Sequence, residues 1–400
     1  MAVQIARLLD VLDGEEAMVQ KKSLGIVETQ SVTFSPPGGL LLESGERLST
    51  VTLAYETYGR LNREKTNAIL ILHALSGDAH AAGFHKGAKK PGWWDAMIGP
   101  GKAFDTEKYF VICSNVLGGC RGSTGPASIN PATNKPYGLD FPMISIGDMV
   151  SCQMHLVEYL GIDKLLCVAG GSMGGMQVLA WLTRFPERIR SAIPIATALK
   201  HSPQQIAFNE VGRQAIMADV HWKSGAYYGG PAPARGLSVA RMIGHITYMS
   251  DASMEEKFGR QRKEAIKPLK FTPNYEVEGY LHYHGDNFIK RFDPNSYLFI
   301  TKALDNFDAS AGRPLHQVLR GVDARVLIIA FKSDWLYPAY QSKEIVRACK
   351  LAGVETSYCE IDSTYGHDAF LLEVEEETYL ITHFLKKAFN GYEVTGEHEI

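Results

Sequence analysis

Several features that would place this 400-residue chain in a specialised class of protein are missing. No stretch reaches eighteen consecutive apolar residues, so we expect no membrane-spanning helix. The opening segment "MAVQIARLLDVLDGEEAMVQKK" has acidic residues and no long apolar run, which favours a cytoplasmic protein over an exported one. A net charge of −3 gives no electrostatic basis for binding nucleic acid or an anionic membrane surface. The composition therefore favours a small-molecule substrate.

The chain also lacks the usual patterns of metal and phosphate binding. Its six cysteines form no CxxC pair and show no regular pairing, and we expect reduced thiols. The glycine-rich stretch "NVLGGCRGSTGP" (115–126) does not match the phosphate-binding pattern G-x-x-x-x-G-K-[ST]. We expect it to be a loop at the mouth of a site. Cys120 within it has no supporting pattern for a nucleophile.

What the sequence does contain is an alternation of short apolar runs and helical patterns. With 45% hydrophobic residues, the chain can bury a substantial core. The alternation predicts an α/β fold with a mainly parallel sheet. Strands are expected at 67–75, 109–116, 164–170, 189–197, 324–331 and 355–361. Helices are expected at 148–161, 175–186, 342–353 and 377–389.

Strand patterns disappear between about 200 and 320, and helix-start signals replace them. Ser202, Pro203 and Gln205 form the pattern of an N-cap, a first-turn proline and a capping box. Asp293-Pro294 predicts a second helix start. We therefore expect a core domain of residues 1–199 and 321–400, interrupted by a helical lid domain of residues 200–320. The first 25 residues and the acidic C-terminal tail are expected to be peripheral.

The stretch "AGGSMGG" (169–175) places Ser172 among four glycines, between a predicted strand and a predicted helix. The fragment G-x-S-x-G alone is a weak signal. Its context, however, is that of a nucleophile elbow, a sharp strand-to-helix turn that exposes a reactive serine. Flanking glycines remove Cβ atoms that would collide there. The alternative is a glycine-rich turn with a capping serine.

A nucleophilic serine needs a base and a group that orients the base. In a sheet of this kind the partners should follow in the order acid and then histidine, in loops at the carboxyl ends of later strands. Asp334 follows the strand in "ARVLIIAFKSDWLYP", and His367 follows the next strand in "ETSYCEIDSTYGHDAF". Asp362 lies nearby as a competing acid. The sequence thus predicts a triad of Ser172, Asp334 and His367.

Acyl transfer also needs hydrogen-bond donors for the oxyanion that develops in the transition state. The backbone N–H of Met173, directly after the serine, is one candidate. The second should come from the loop after an early strand, "LHALSGDAH" (72–80), where we choose the N–H of Leu75. His73, at the end of that strand, is interpreted as a core histidine rather than a base.

Taken together, longer motifs resemble the homoserine O-acetyltransferases, the acyl-CoA-dependent branch of the α/β-hydrolase superfamily. The resemblance covers roughly residues 30 to 390 and rests on "LHALSGDAH", "NVLGGCRGSTGP", "GGSMGGMQVLAW", "FNEVGRQAIMAD", "GLSVARMIGHITYMS", "SDWLYP" and "YGHDAFL". It implies an α/β-hydrolase fold, with an eight-stranded core and a helical lid. It also implies a homodimer formed through the lid, no metal and no bound prosthetic group. The implied reaction transfers an acetyl group from acetyl-CoA to L-homoserine in methionine biosynthesis.

The resemblance also carries site residues. The family's triad falls on Ser172, Asp334 and His367. It further implies that Arg241 binds the homoserine carboxylate and that Asp368 meets the amino group. A planar guanidinium suits a carboxylate and an aspartate suits an ammonium. Residue type alone would make Arg213 an equal choice for the carboxylate.

Three other functions remain open on the sequence. The same architecture could serve a homoserine O-succinyltransferase that uses succinyl-CoA, since few side chains would decide between the two donors. A simple serine esterase is a second possibility, against which the expected roles of Arg241 and Asp368 argue. A catalytically inactive hydrolase fold used for binding is a third, and the presence of all three triad residues argues against it.

Overall fold

The computed structural model describes residues 23–263 and 273–393. Most of the two terminal segments expected to be peripheral lies outside these residues. Eight strands form the main sheet: β1 (Gln30–Phe34), β2 (Val51–Tyr58), β3 (Ala68–Leu72), β4 (Phe110–Ser114), β5 (Cys167–Gly171), β6 (Ser191–Ile195), β7 (Arg325–Phe331) and β8 (Thr356–Ile361). Short two-residue strands pair outside it, at Leu40–Leu41 with Arg47–Leu48, Ile98–Gly99 with Phe104–Asp105, and Ile129–Asn130 with Lys135–Pro136.

The sheet runs in the order β1-β2-β4-β3-β5-β6-β7-β8. Strand β2 pairs antiparallel with both β1 and β4, and every other pairing in the sheet is parallel. The predicted mainly parallel sheet of eight strands is confirmed. Strands β1 and β2, which the apolar patterns did not indicate, add its antiparallel edge.

The central strands are apolar throughout because both faces of the sheet are covered. In β3, Leu70 and Leu72 belong to the core on one face, whereas Ile69 and Ile71 belong to the core on the other. All five residues of this strand are buried. A continuous apolar run, without polar alternation, is therefore the pattern that such a strand requires.

Helices cover the two faces and fill the long connection between β6 and β7. Their bounds are α1 (Ile146–Tyr159), α2 (Met173–Arg184), α3 (Pro203–Met217), α4 (Ala234–Tyr248), α5 (Asp251–Phe258), α6 (Glu276–Phe288), α7 (Pro294–Asn306), α8 (Leu315–Val318), α9 (Ala339–Ala352), α10 (Ala369–Leu372) and α11 (Val374–Glu393). Single 3₁₀ turns occur at Gly138–Asp140, Pro186–Arg188, Lys223–Gly225 and Gly366–Asp368. None of the helices in the described ranges is long and apolar enough to cross a membrane.

The helices α3 to α8 form the segment that the sequence marked as an insertion. The Ser202 side chain accepts from Gln205 N, the Gln205 side chain accepts from Ser202 N, and Pro203 opens α3. Asp293 caps α7 by accepting a hydrogen bond from Ser296 N. Both predicted helix starts are therefore correct. The division into a core domain and a lid domain stays a prediction.

Candidate active site

Ser172 lies at the turn between β5 and α2. Its backbone has φ 58° and ψ −121°, a region that a residue with a side chain seldom adopts, and α2 begins at the next residue. Such strain costs about 1–3 kcal/mol and persists only where the surrounding structure enforces it. Here the Ser172 N–H donates to the Ile195 carbonyl, and the Ser172 carbonyl accepts from the Thr197 hydroxyl. The turn has the form predicted for a nucleophile elbow.

The glycines around this serine are explained by close packing. A Cβ on Gly170 or on Gly174 would collide with the carbonyl oxygen of Leu72, at the end of the neighbouring strand β3. Both glycines let the β5–α2 turn lie directly against β3. Ser172 is therefore held beside the loop that follows β3.

Asp334 and His367 lie in the loops after β7 and β8 and contact each other. His367 Nδ1 is 2.7 Å from Asp334 Oδ2, and both side chains are almost fully buried. The other carboxylate oxygen, Oδ1, accepts from the backbone N–H groups of Leu336 and Tyr337 at 3.0 and 2.8 Å. Asp362, the competing acid, is instead 81% exposed and lies 3.2 Å from the Lys332 ammonium. The structure therefore brings Asp334, and not Asp362, to the histidine.

A cavity opens beside Ser172 beneath the lid helices. Leu75, the expected oxyanion donor from the β3 loop, lines it together with Ser172. Met173, the other expected donor, is the first residue of α2. Leu336 and Tyr337, in the loop after β7, also line the cavity. The rest of the wall comes from His201 and from helices α3, α4 and α7: Gln205, Phe208, Asn209, Ile243, Gly244, Thr247, Tyr248, Tyr297 and Leu304. These helices thus cover one side of the cavity at Ser172, and the two backbone groups stay candidates for the oxyanion hole.

Arg241, on α4, reaches from the lid to the β3 loop. Its Nη1 donates to the Ser76 hydroxyl at 3.2 Å, next to Leu75 in the chain. The guanidinium carbon lies 4.8 Å from the Phe288 ring centroid and 5.6 Å from that of Tyr248. These aromatic contacts hold the cation near the serine. The polar neighbours of the guanidinium, Ser76 and Tyr248, are neutral hydroxyl groups, which leaves its charge available for an anion.

Arg213, the other arginine that residue type allowed, already has two anionic partners. Its Nη1 lies 2.7 Å from Asp305 Oδ2, and its Nε and Nη2 donate to Glu210 Oε2. The Arg213 side chain is only 4% exposed. The charge of Arg213 is therefore already neutralised by Asp305 and Glu210. Of the two arginines, Arg241 is the better placed to bind a ligand.

Asp368 follows His367 at the start of α10 and faces the lid. It lines a groove with Tyr280, Tyr365 and Lys257, near His367 and Arg241. Burial raises the pKa of this carboxyl, while the neighbouring His367 and the Arg241 guanidinium oppose the rise. A cationic group in the groove would offset the cost of burying the ionised carboxylate.

The comparisons with known proteins agree with this geometry. The family model described as alpha/beta hydrolase fold matches residues 67–374. The homoserine O-acetyltransferase of Methanohalobium evestigatum is 57% identical over 92% of this chain and 75% of its own length. That of Methanobrevibacter ruminantium is 58% identical with the same coverage. The chain belongs to the homoserine O-acetyltransferase family.

Solved structures of this fold include transferases and hydrolases. The homoserine O-acetyltransferase of Bacillus anthracis is 31% identical, with a TM-score of 0.84 over 90% of this chain and 98% of its own. Esterase E22 is also 31% identical, with a TM-score of 0.82 over 90% of this chain and 100% of its own. The backbone alone therefore does not separate acyl transfer from ester hydrolysis.

Two other candidate nucleophiles or bases have structural roles in this member of the homoserine O-acetyltransferase family. Cys120 accepts from Asp293 N, and burial raises the pKa of its thiol to about 11, so that it stays protonated. His73 is buried, and its Nε2 accepts from Val116 N at 3.1 Å. Burial lowers the pKa of His73, which is a neutral core histidine as the sequence suggested.

Glu56, His80 and His85 are the residues of the described chain that could together hold a metal ion. Their ligand atoms already bond to one another: Glu56 Oε2 is 3.0 Å from His80 Nδ1, and Oε1 is 2.7 Å from His85 Nε2. The hydroxyls of Thr29 and Tyr58 also donate to this carboxylate. Burial opposes its ionisation, but these bonds together lower the pKa of Glu56 to about 2. In this arrangement the buried carboxylate of Glu56 is fully hydrogen-bonded by its neighbours.

Sequence reasoning missed the aromatic residues of the cavity, above all Tyr248 and Tyr337. A tyrosine in an apolar helix or loop gives the same signal whether it packs in a core or faces a substrate. For Tyr337 a usable signal did exist, because it lies three residues after Asp334 in the same loop.

Proposed function

We propose that this chain is a homoserine O-acetyltransferase that moves an acetyl group from acetyl-CoA to the hydroxyl of L-homoserine, a step of methionine biosynthesis. The observation that carries the proposal is the buried Asp334–His367 pair in the same site as the strained Ser172, under a lid that brings Arg241 to the β3 loop. The 57% identity to a homoserine O-acetyltransferase over nearly the whole chain supports the same reaction.

The reaction proceeds in two steps through an acyl-enzyme. His367, oriented by Asp334, accepts the Ser172 proton while Oγ attacks the thioester carbonyl. The oxyanion accepts hydrogen bonds from the N–H groups of Met173 and Leu75, and coenzyme A leaves as the thiol after taking the proton from His367. His367 then accepts the proton of the homoserine hydroxyl, which attacks the acetyl-serine. The bond to Ser172 Oγ breaks as Oγ takes this proton from His367, and O-acetylhomoserine leaves.

In a transferase, the acceptor hydroxyl must attack the acyl-enzyme faster than water does. Arg241 binds the homoserine carboxylate, and Asp368 binds the ammonium. Fixing both ends gives the substrate hydroxyl a high effective concentration at the acetyl-serine. The lid residues around Ser172 restrict the access of bulk water.

A serine esterase is the second candidate, and the similarity to esterase E22 specifically favours it. The two functions differ only in what discharges the acyl-enzyme. The weaker identity to the esterase, 31% against 57%, makes hydrolysis the less supported candidate.

Release of free thiol tests the proposal. Acetyl-CoA and succinyl-CoA should each be supplied with and without L-homoserine. The proposal expects homoserine-dependent release from acetyl-CoA. A preference for succinyl-CoA would change the acyl donor and keep the mechanism. Equal release with and without homoserine would identify water as the acceptor and support the esterase.

We also propose a cytoplasmic homodimer that forms through the lid, with no bound metal or prosthetic group. Large apolar side chains on α3, α4 and α6 support the dimer, since they are partly exposed: Ile206, Val211, Val239, Ile246 and Tyr283. Six free cysteines are consistent with a reducing compartment. Light scattering of the purified chain should give twice the mass of one protomer, and Val211→Asp should lower it to that of a monomer.

A further inference from the structure

One residue, Tyr337, contacts His367 and Asp334 and lines the same cavity as Ser172. Its backbone N–H donates to Asp334 Oδ1 at 2.8 Å. Its ring stacks on the His367 imidazole, with centroids 5.0 Å apart and planes 27° from parallel. Its side chain lines the cavity together with Ser172, and the Ser172 hydroxyl is a neighbour that lowers the pKa of Tyr337 against the effect of burial. The residue is only 4% exposed, so these contacts are fixed by packing.

The same hydroxyl is held from the lid by a second histidine–aspartate pair. His201 Nε2 lies 2.7 Å from the Tyr337 hydroxyl, and His201 Nδ1 lies 3.1 Å from Asp305 Oδ1. The side chains of His201 and Asp305 are 3% and 5% exposed. His201 precedes α3 and Asp305 lies in α7, so the pair joins two lid helices to the triad. None of the triad steps described above uses it.

The partners of Asp305 fix the direction of these hydrogen bonds. Arg213 lies 2.7 Å from Asp305 Oδ2, and Asn209 Nδ2 donates to Oδ1 at 2.7 Å. Burial opposes ionisation, but these partners and His201 together lower the pKa of Asp305, which is therefore an anion. An anionic acceptor takes a proton from His201 Nδ1, which leaves Nε2 to accept from the Tyr337 hydroxyl.

The Tyr337 oxygen then has lone pairs available to accept a hydrogen bond from Ser172, which lines the same cavity. Burial raises the pKa of the Tyr337 hydroxyl, so the group keeps its proton and directs it to His201. A hydrogen bond from the Ser172 hydroxyl to the Tyr337 lone pairs would hold the resting Oγ in one orientation at the elbow, in the cavity that both residues line and next to the imidazole on which the Tyr337 ring stacks.

We propose that Tyr337 is a positioning residue for the Ser172 nucleophile, and that the lid pair His201–Asp305 sets the direction of its hydroxyl. Without this bond, Oγ samples other rotamers and the attack on the acyl donor slows. The proton of Ser172 still passes to His367. The inference rests on the proposed function only for the identity of the natural acyl donor. The acylation of Ser172 can be measured with any activated ester.

The test measures acylation of Ser172 by p-nitrophenyl acetate, as the rate of the p-nitrophenol burst. Tyr337→Phe keeps the ring and removes the hydroxyl. Loss of one such hydrogen bond should slow the burst roughly 2- to 12-fold. The KM for homoserine should not change. His201→Leu should slow the burst in the same way, and the double variant should be no slower than Tyr337→Phe alone, because both act through one bond.

The control is Tyr55→Phe. Tyr55 is a buried tyrosine on β2 whose hydroxyl bonds to Gln30 Oε1 at 3.1 Å, so its removal deletes a comparable bond away from the serine. Its burst rate should equal that of the unmodified chain. If His201→Leu fails to fold, His201→Gln takes its place. The slowing of the burst by His201→Gln should likewise disappear when Tyr337→Phe is already present.

An unchanged or faster burst in Tyr337→Phe, with or without a lower melting temperature, would overturn the positioning role. So would losses that add in the double variant. A slower burst in Tyr337→Phe, in a chain that shows no homoserine-dependent transfer, would count against the proposed function only.

Discussion

The replacement Asp334→Asn tests the pairing of acid and histidine most sharply. Asp334 Oδ1 accepts from the backbone N–H groups of Leu336 and Tyr337, at 3.0 and 2.8 Å. An asparagine must therefore keep its carbonyl oxygen at this position, since an NH₂ group there would face two donors. Its NH₂ group then occupies the place of Oδ2, 2.7 Å from His367 Nδ1.

This geometry predicts a large loss of activity with a small loss of stability. An amide donor facing Nδ1 leaves the proton of neutral His367 on Nε2, where it cannot accept the Ser172 proton. The same exchange in a serine protease triad lowers kcat about 10⁴-fold, or roughly 5 kcal/mol of transition-state stabilisation. The lost charge-assisted hydrogen bond costs about 1.5–3 kcal/mol of folding free energy, which a chain of this size tolerates.

The assay is homoserine-dependent thiol release from acetyl-CoA, with the melting temperature measured alongside. The matched control is Asp362→Asn, which removes an exposed carboxylate after the next strand and should leave both quantities unchanged. Retention of more than about a hundredth of the activity by Asp334→Asn would refute the orientation argument. A comparable loss in Asp362→Asn would show that the acid has been misassigned.

Three further replacements test other parts of the account. Arg241→Met should raise the KM for homoserine roughly 10- to 100-fold with little change in that for acetyl-CoA; a change in the donor KM alone would place Arg241 at the coenzyme A entrance. Gly174→Ala should destabilise the chain by about 1–3 kcal/mol in urea unfolding, since its Cβ meets the Leu72 carbonyl; an unchanged midpoint would contradict the packing argument. Glu56 has its pKa lowered from 4.5 to about 2, so its ionised form stabilises the fold above pH 4.5 and this stabilisation is lost as the pH falls towards 2. Glu56→Gln should therefore unfold about 3 kcal/mol more easily at neutral pH, a difference that should shrink below pH 4.5; a constant difference would contradict the assigned shift.

The parts of the site that depend on local pattern could be predicted from the sequence. Ser172 is marked by glycines between a strand and a helix, and His367 lies in the loop after a predicted strand. The central strands could be predicted because a strand that is buried on both faces requires a continuous run of apolar residues. Strand β1, by contrast, pairs only with β2 and is mostly exposed, so it carries no such run.

Choices that depend on distant contacts could not be settled from local pattern. The position of Asp334 in the loop after its strand favoured it over Asp362, but only the fold shows that Asp334 is buried against His367 while Asp362 faces solvent. Arg213 and Arg241 are both helical arginines, and their difference lies in Asp305, which is 92 residues beyond Arg213 in the chain. Ion pairs between distant residues cannot be recognised in a local sequence pattern. The choice of Arg241 over Arg213 therefore came from the family resemblance.

The most direct test of the central claim is the mass of the protein after mixing with acetyl-CoA in the absence of homoserine. Acyl transfer through Ser172 predicts one added acetyl group, carried on Ser172 and absent in Ser172→Ala. Addition of L-homoserine should discharge this group to O-acetylhomoserine faster than water removes it. An unmodified mass, or a discharge rate that homoserine does not change, would contradict acyl transfer through this serine.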